Sequence, residues 1–82
     1  MEKVYVVILE DRHLDVGVFV FSNKDKAIDW ARIEARKCCH HEADYKETEV
    51  TSRMQLDGWV FAADYSCEGD CIRVVEREIE DK

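Results

Sequence analysis

Cys38-Cys39-His40-His41 is the densest run of reactive side chains in this sequence, and Cys67 and Cys71 follow further along. Thiolate and imidazole are the usual ligands of zinc. On a helix, consecutive residues point about 100° apart, so the four cannot all converge on one ion while the helix persists. Cys38 and His41 share a side of such a helix. Cys67 and Cys71 flank a turn and are spaced one residue wider than the common C-x-x-C knuckle. A zinc site drawn from Cys38, His41, Cys67 and Cys71 is therefore the metal-binding alternative. The preferred reading makes Cys38 a small core residue and sets His40 and His41 at the negative end of a helix dipole. A Cys67–Cys71 bridge would close too short a loop to stabilise much. A Cys–His nucleophile needs a thiolate-stabilising environment and a third orienting group. Neither is visible, and no pair of carboxylates stands isolated among apolar residues. The expectation is a protein without catalytic residues and without a cofactor.

The chain has 82 residues, read as a single domain over 1–82. A domain this small buries only about 60% of the surface its unfolded chain exposes, so association reinforces it. Charged residues make up 38% of the chain, and 19 acidic against 12 basic residues leave a net charge of −7. No cationic footprint for direct nucleic-acid binding is present. The sign favours attraction to a basic surface on another protein. No apolar run approaches the roughly 20 residues that span a bilayer. The N-terminus lacks the basic, apolar and small-residue regions of a signal peptide. A cytoplasmic protein with reduced thiols and no membrane contact is expected.

The elements that must position these residues follow from pattern. Residues 4–9 are β-branched and aromatic and read as a strand. Residues 10–15 form a polar loop, and residues 16–21 a second strand. Its alternate sets, Val16, Val18, Val20 and Gly17, Phe19, Phe21, are both non-polar, the pattern of a strand buried on both sides. Ser22 is the expected helix cap, with Asp25 at the positive helix end. The helix should run from about residue 24 to about 41, with Ala27, Ile28, Ala31, Ala35 and Cys38 on one stripe. Trp30 and Ile33 are read on the opposite side. Residues 42–49 are acidic and read as a loop. Val50, Ser52, Met54 and Leu56 alternate with polar residues as a half-buried strand. Asp57-Gly58 is then a hairpin turn that sets Leu56 opposite Trp59, Met54 opposite Phe61 and Val50 opposite Tyr65. Glu68-Gly69-Asp70 makes the last turn, before a strand over residues 72–79. The predicted fold is α+β: a single antiparallel sheet, order β-β-α-β-β-β, with one helix packed on one face.

The run from Val4 to Ala31 resembles a group of small bacterial and phage proteins without an assigned activity. The residues that carry it are Val4-Tyr5-Val6-Val7, Val16-Gly17-Val18-Phe19, and Phe21-Ser22 with Lys26-Ala27; Trp59 and Glu68-Gly69-Asp70 are similar to a recurring pattern nearer the C-terminus of such proteins. The resemblance implies the β-β-α-β-β architecture and brings no functional residues with it.

One helix covers one face of a sheet, and the apolar residues on the other face need a second cover. The simplest is another copy of the chain. The expected function is thus a non-enzymatic protein-binding domain, homodimeric through the face the helix leaves open, with a regulatory or inhibitory role. Trp30 and Ile33 are candidate partner anchors, because tryptophan is enriched at interface hot spots. Glu42, Asp44, Glu47 and Glu49 are candidate contacts to a basic partner, where an acidic surface mimics nucleic-acid phosphates.

Overall fold

Two apolar strands in sequence succession pair directly: β1 (Lys3–Glu10) lies antiparallel to β2 (Gly17–Phe21), with Val7 opposite Phe19 and Leu9 opposite Gly17. A computed structural model describes residues 2–11, 15–67 and 69–79. After β2 come α1 (Lys24–Cys38), a 3-10 turn (Glu42–Asp44), β3 (Lys46–Glu47), α2 (Ser52–Leu56), β4 (Trp59–Asp64) and β5 (Cys71–Glu78). The strands form one five-stranded antiparallel sheet in the order β2-β1-β5-β4-β3. The α+β class with one main helix on one face holds; the strand succession differs in detail. The expected loop at residues 10–15 and the turn at Glu68-Gly69-Asp70 each include positions outside the described residues.

Side chains alternate across a strand, so register decides which residues meet the helix. Val7 and Leu9 of β1, Phe61 and Ala63 of β4, and Ile72 and Val74 of β5 share the helix side and are all buried. Against them α1 lays Ala27, Ala31 and Ala35, each 0% exposed. Three alanines one turn apart remove side-chain bulk and let the helix backbone approach the sheet.

The helix begins at Lys24, as expected, but its cap is one residue later than the sequence suggests. Asn23, not Ser22, is the cap: its Oδ1 accepts the Lys26 N–H at 3.0 Å. The helix ends at Cys38 because Cys39 is extended, at ψ 122°. His40 and His41 thus lie beyond the last turn rather than in it.

Residues 50–56 overturn the predicted strand. Thr51 Oγ1 accepts the Met54 N–H at 3.3 Å, and the short helix α2 follows. Asp57-Gly58 ends this helix instead of turning a hairpin. Gly58 sits at φ +90°, and its N–H donates to the Gln55 carbonyl at 2.9 Å. The place beside β4 is taken by β3, with Lys46 opposite Asp64 and Glu47 opposite Ala63, so Leu56 is left 87% exposed. A seven-residue alternation fits a short capped helix as well as a strand, and the cap decided it.

A Cβ on Gly58 would stand 2.7 Å from the Glu76 carbonyl oxygen. Left-handed backbone adds strain for any branched residue. Gly58→Val is expected to lower the unfolding free energy by about 1–3 kcal/mol, read as a shift in the midpoint of urea denaturation. An unshifted midpoint would show that the turn relaxes without cost.

The predicted register placed Trp59, Phe61 and Tyr65 on one face. A bulge between Trp59 and Phe61 separates them: Trp59 pairs with Val75, and Phe61 pairs with the adjacent Val74. One extra residue in a strand reverses the facing of everything before it. Phe61 and Tyr65 therefore point to the helix, and Trp59 to the other side.

Candidate interaction surface

The side of the sheet away from α1 is apolar through its centre. Val20, Val6 and Val75 form one cross-strand row, and Val18, Ile8 and Arg73 form the next. Val18 and Val20 are 59% and 63% exposed, so the strand read as covered on both faces is uncovered on one within a single chain. Trp59 joins this side through the bulge, and the Arg73 guanidinium lies 5.5 Å from its ring centre. Arg73 also pairs with Glu10. Arg77 Nη1 donates to the backbone carbonyls of Asp57, at 3.0 Å, and Glu76, at 2.8 Å.

Charge is sparse and balanced here. Along the paired strands, this side carries Glu10 and Asp64 against Lys46, Arg73 and Arg77. The surplus of acid in a chain of net charge −7 therefore lies elsewhere. Two copies approaching through this side meet little like-charge repulsion.

The predicted anchors divide. Ile33 is exposed at 57%, as read from the helical wheel. Trp30 is half-buried: its ring centre is 4.6 Å from that of Phe19 and 5.7 Å from that of Phe21. Placing Trp30 opposite the alanine stripe was an error. At 100° per residue it stands about 60° from Ala27, on a flank, and the aromatic residues of β2 reach that flank.

The acidic residues also divide. Glu47 is held by Arg32 at 2.8 and 3.1 Å and accepts from the Tyr45 hydroxyl at 2.7 Å. The Arg32 and Tyr45 hydrogen bonds keep its carboxyl below the usual range. Glu42 lies 3.8 Å from Arg36. Asp44 is half-buried and Glu49 is exposed. Glu47 is thus engaged by an arginine of α1, whereas Glu42 stays 91% exposed beside its arginine.

Cys38, His41 and Cys67 line one cleft of ≈ 330 Å³ at the end of α1, together with Asp11, Asp44 and Tyr65. Cys71 does not join them. It pairs with Glu10 and Asp64, in phase with Arg73 and Val75 on the open side of the sheet, because strand alternation turns it away from its neighbour Ile72. Among the described residues no three His, Cys, Asp or Glu side chains are grouped to hold a metal ion. All four thiols are free.

In the cleft, the Tyr65 hydroxyl donates to Asp11 at 2.6 Å, and burial followed by that carboxylate pushes its phenol well above the usual range. Burial also raises the Cys38 and Cys71 thiols, with Glu34 and Glu10 respectively adding to it. A thiol reacts through its thiolate. The exposed Cys67 is expected to react first with a maleimide at neutral pH and Cys38 and Cys71 last, as mass spectrometry of the labelled peptides would read. Fast labelling of Cys38 would contradict its burial.

No family model matches the chain, and no curated protein or solved structure matches it. The comparisons lend no support to the resemblance carried by Val4 to Ala31. No helix among the described residues is long and apolar enough to cross a membrane. The sequence reading missed Val6 and Ile8 as the middle of the open side, although both alternate sets of the first strand are apolar and signalled it. It had no signal for Trp59, because a bulge leaves none in composition.

Proposed function

We propose that the protein is a non-enzymatic protein-binding domain that acts as a homodimer, two copies packing the open sides of their sheets together. One observation carries this reading: the side opposite α1 has an apolar centre and exposes Val18 and Val20 by more than half. Burying apolar surface is the main favourable term in association. The sparse, balanced charge of this side favours a second copy over a strongly charged partner. At about 4.8 Å between strands and 3.4 Å per residue, β2, β1, β5 and β4 span roughly 440 Å² in projection, of which the part over Val75 and Ala62, 4% and 6% exposed, is already covered within one chain. Specific interfaces bury about 800 Å² per partner, so the area supports a modest affinity. The raised Cys38 and Cys71 thiols run opposite to what an activated nucleophile needs. A regulatory or inhibitory role fits a domain that presents surfaces rather than a reaction centre.

Light scattering on a size-exclusion column tests the association. At tens of micromolar, a mass at least twice the 9.6 kDa of one chain is expected. A solitary chain at that concentration would overturn the reading.

A further inference from the structure

We infer that β2 carries a second self-association site: its free edge pairs antiparallel with the same edge of another copy, about a two-fold axis at Phe19, and makes a ten-stranded sheet. The inference rests on the self-association proposed above and extends it to a different surface.

β2 is the terminal strand of the sheet. Exposed edges are normally guarded by charge, proline or a bulge, since an edge strand offers backbone donors and acceptors to any extended chain. Residues 16–21 contain no charge and no proline. The β1–β2 register runs without a shift. The edge is also apolar on both sides. Val18 and Val20 lie on the open side, while Phe19 stacks on Trp30 on the helix side and keeps 39% of its surface exposed. Ile33, three residues on from Trp30, is 57% exposed on the outer side of α1.

The sequence of β2 is complementary to itself in one register. Residues directly opposed in an antiparallel pair share a face, which restricts the choice to registers that keep the two alternate sets apart. Centred on Phe19, the pairing sets Phe19 against Phe19, Val18 against Val20 and Gly17 against Phe21 of the second copy. Asp15 then lies across from Asn23, the cap of the second copy's α1, whose first turn carries Lys24, Asp25 and Lys26. A carboxylate is favoured at the positive end of a helix. Centring on Val18 sets Asp15 against Phe21, and centring on Val20 sets it against Asp25. Only the Phe19 register sets Asp15 against neither an apolar residue nor a like charge.

The edge axis stands perpendicular to the sheet, whereas the axis of face packing lies parallel to it. Perpendicular two-fold axes that intersect close as four chains, which requires the axis of face packing to run across the strands at the level of Phe19. The full assembly is two ten-stranded sheets packed open side to open side.

Hydrogen exchange and light scattering on the full chain test this together. In the wild type, a four-chain mass is expected, with the outward amides of β2 protected as well as the inward ones. Phe19→Lys and Phe19→Glu each place like charges at the axis and are expected to give two chains. An equimolar mixture of the two is expected to restore four, because lysine then meets glutamate. Asp15→Lys, at an exposed position before the strand, provides a variant that leaves the core untouched; it is expected to weaken the four-chain species about tenfold. Unprotected outward amides at any mass, or a mixture that fails to recover, would overturn edge pairing. Two chains with unprotected outward amides would leave face packing standing alone. Two chains with protected amides would retain the edge and remove the face. A monomer would remove both.

Discussion

Val6→Glu is expected to leave the fold intact while abolishing packing through the open side of the sheet. Val6 is half-buried between Val20 and Val75 in the middle of that side. In a single chain the new carboxylate can extend into water, and Arg73 and Arg77 are its diagonal neighbours on β5. Thermal unfolding should therefore change little. In a face-packed pair the same group is taken out of water near the two-fold axis, and symmetry repeats it. The penalty for a buried, imperfectly paired ion is several kcal/mol. Each 1.4 kcal/mol is a factor of ten in affinity, so a loss of at least about 100-fold is expected. Light scattering, with circular dichroism to check the fold, reads the result. A variant with undiminished mass and unchanged protection of β2 would mean that the open side is not where copies meet.

Ile72→Ala is expected to do the reverse. Ile72 is 0% exposed, on the helix side of β5, opposite Leu9 and Ala63. Removing its outer carbons deletes transfer free energy and leaves a cavity that the packed alanines of α1 cannot fill. The cost is about 2–5 kcal/mol, against a typical total of about 5–15 kcal/mol for a domain. The midpoint of urea denaturation should fall while the slope stays the same. The assembled mass under native conditions should not change, because nothing on the open side moves. A loss under about 1 kcal/mol would show that the layer between α1 and the sheet is not the core. The two variants thus separate the sides of one sheet: one carries the core under α1, and the other is the side proposed to meet a second chain.

Much of this arrangement is legible in the sequence. The strands at each end of the chain and the helix after β2 came from β-branched runs and a helical alanine stripe. These signals are local, since period and capping act over a few residues. The excess of apolar side chains over what one helix can cover was also readable, because both alternate sets of the first two strands are non-polar. The candidate residues were less legible. Ile33 was placed correctly by angle alone, but Trp30 depended on how far Phe19 and Phe21 reach from a neighbouring strand.

The sequence by itself determined the α+β class, the position of α1 and the surplus of apolar strand residues over what one helix covers. All three depend on nearest-neighbour patterns and on composition. Only the tertiary structure decided that residues 52–56 coil rather than extend, that β3 takes the place beside β4, and that Trp59 faces away from Phe61. It also decided that Cys71 lies on the other side of the sheet from Cys38. The physical reason is the same in each case. Strand partners and bulges are chosen by competition among distant segments for one hydrogen-bonding edge, and the faces of all residues in a strand reverse together when that competition shifts the register by one.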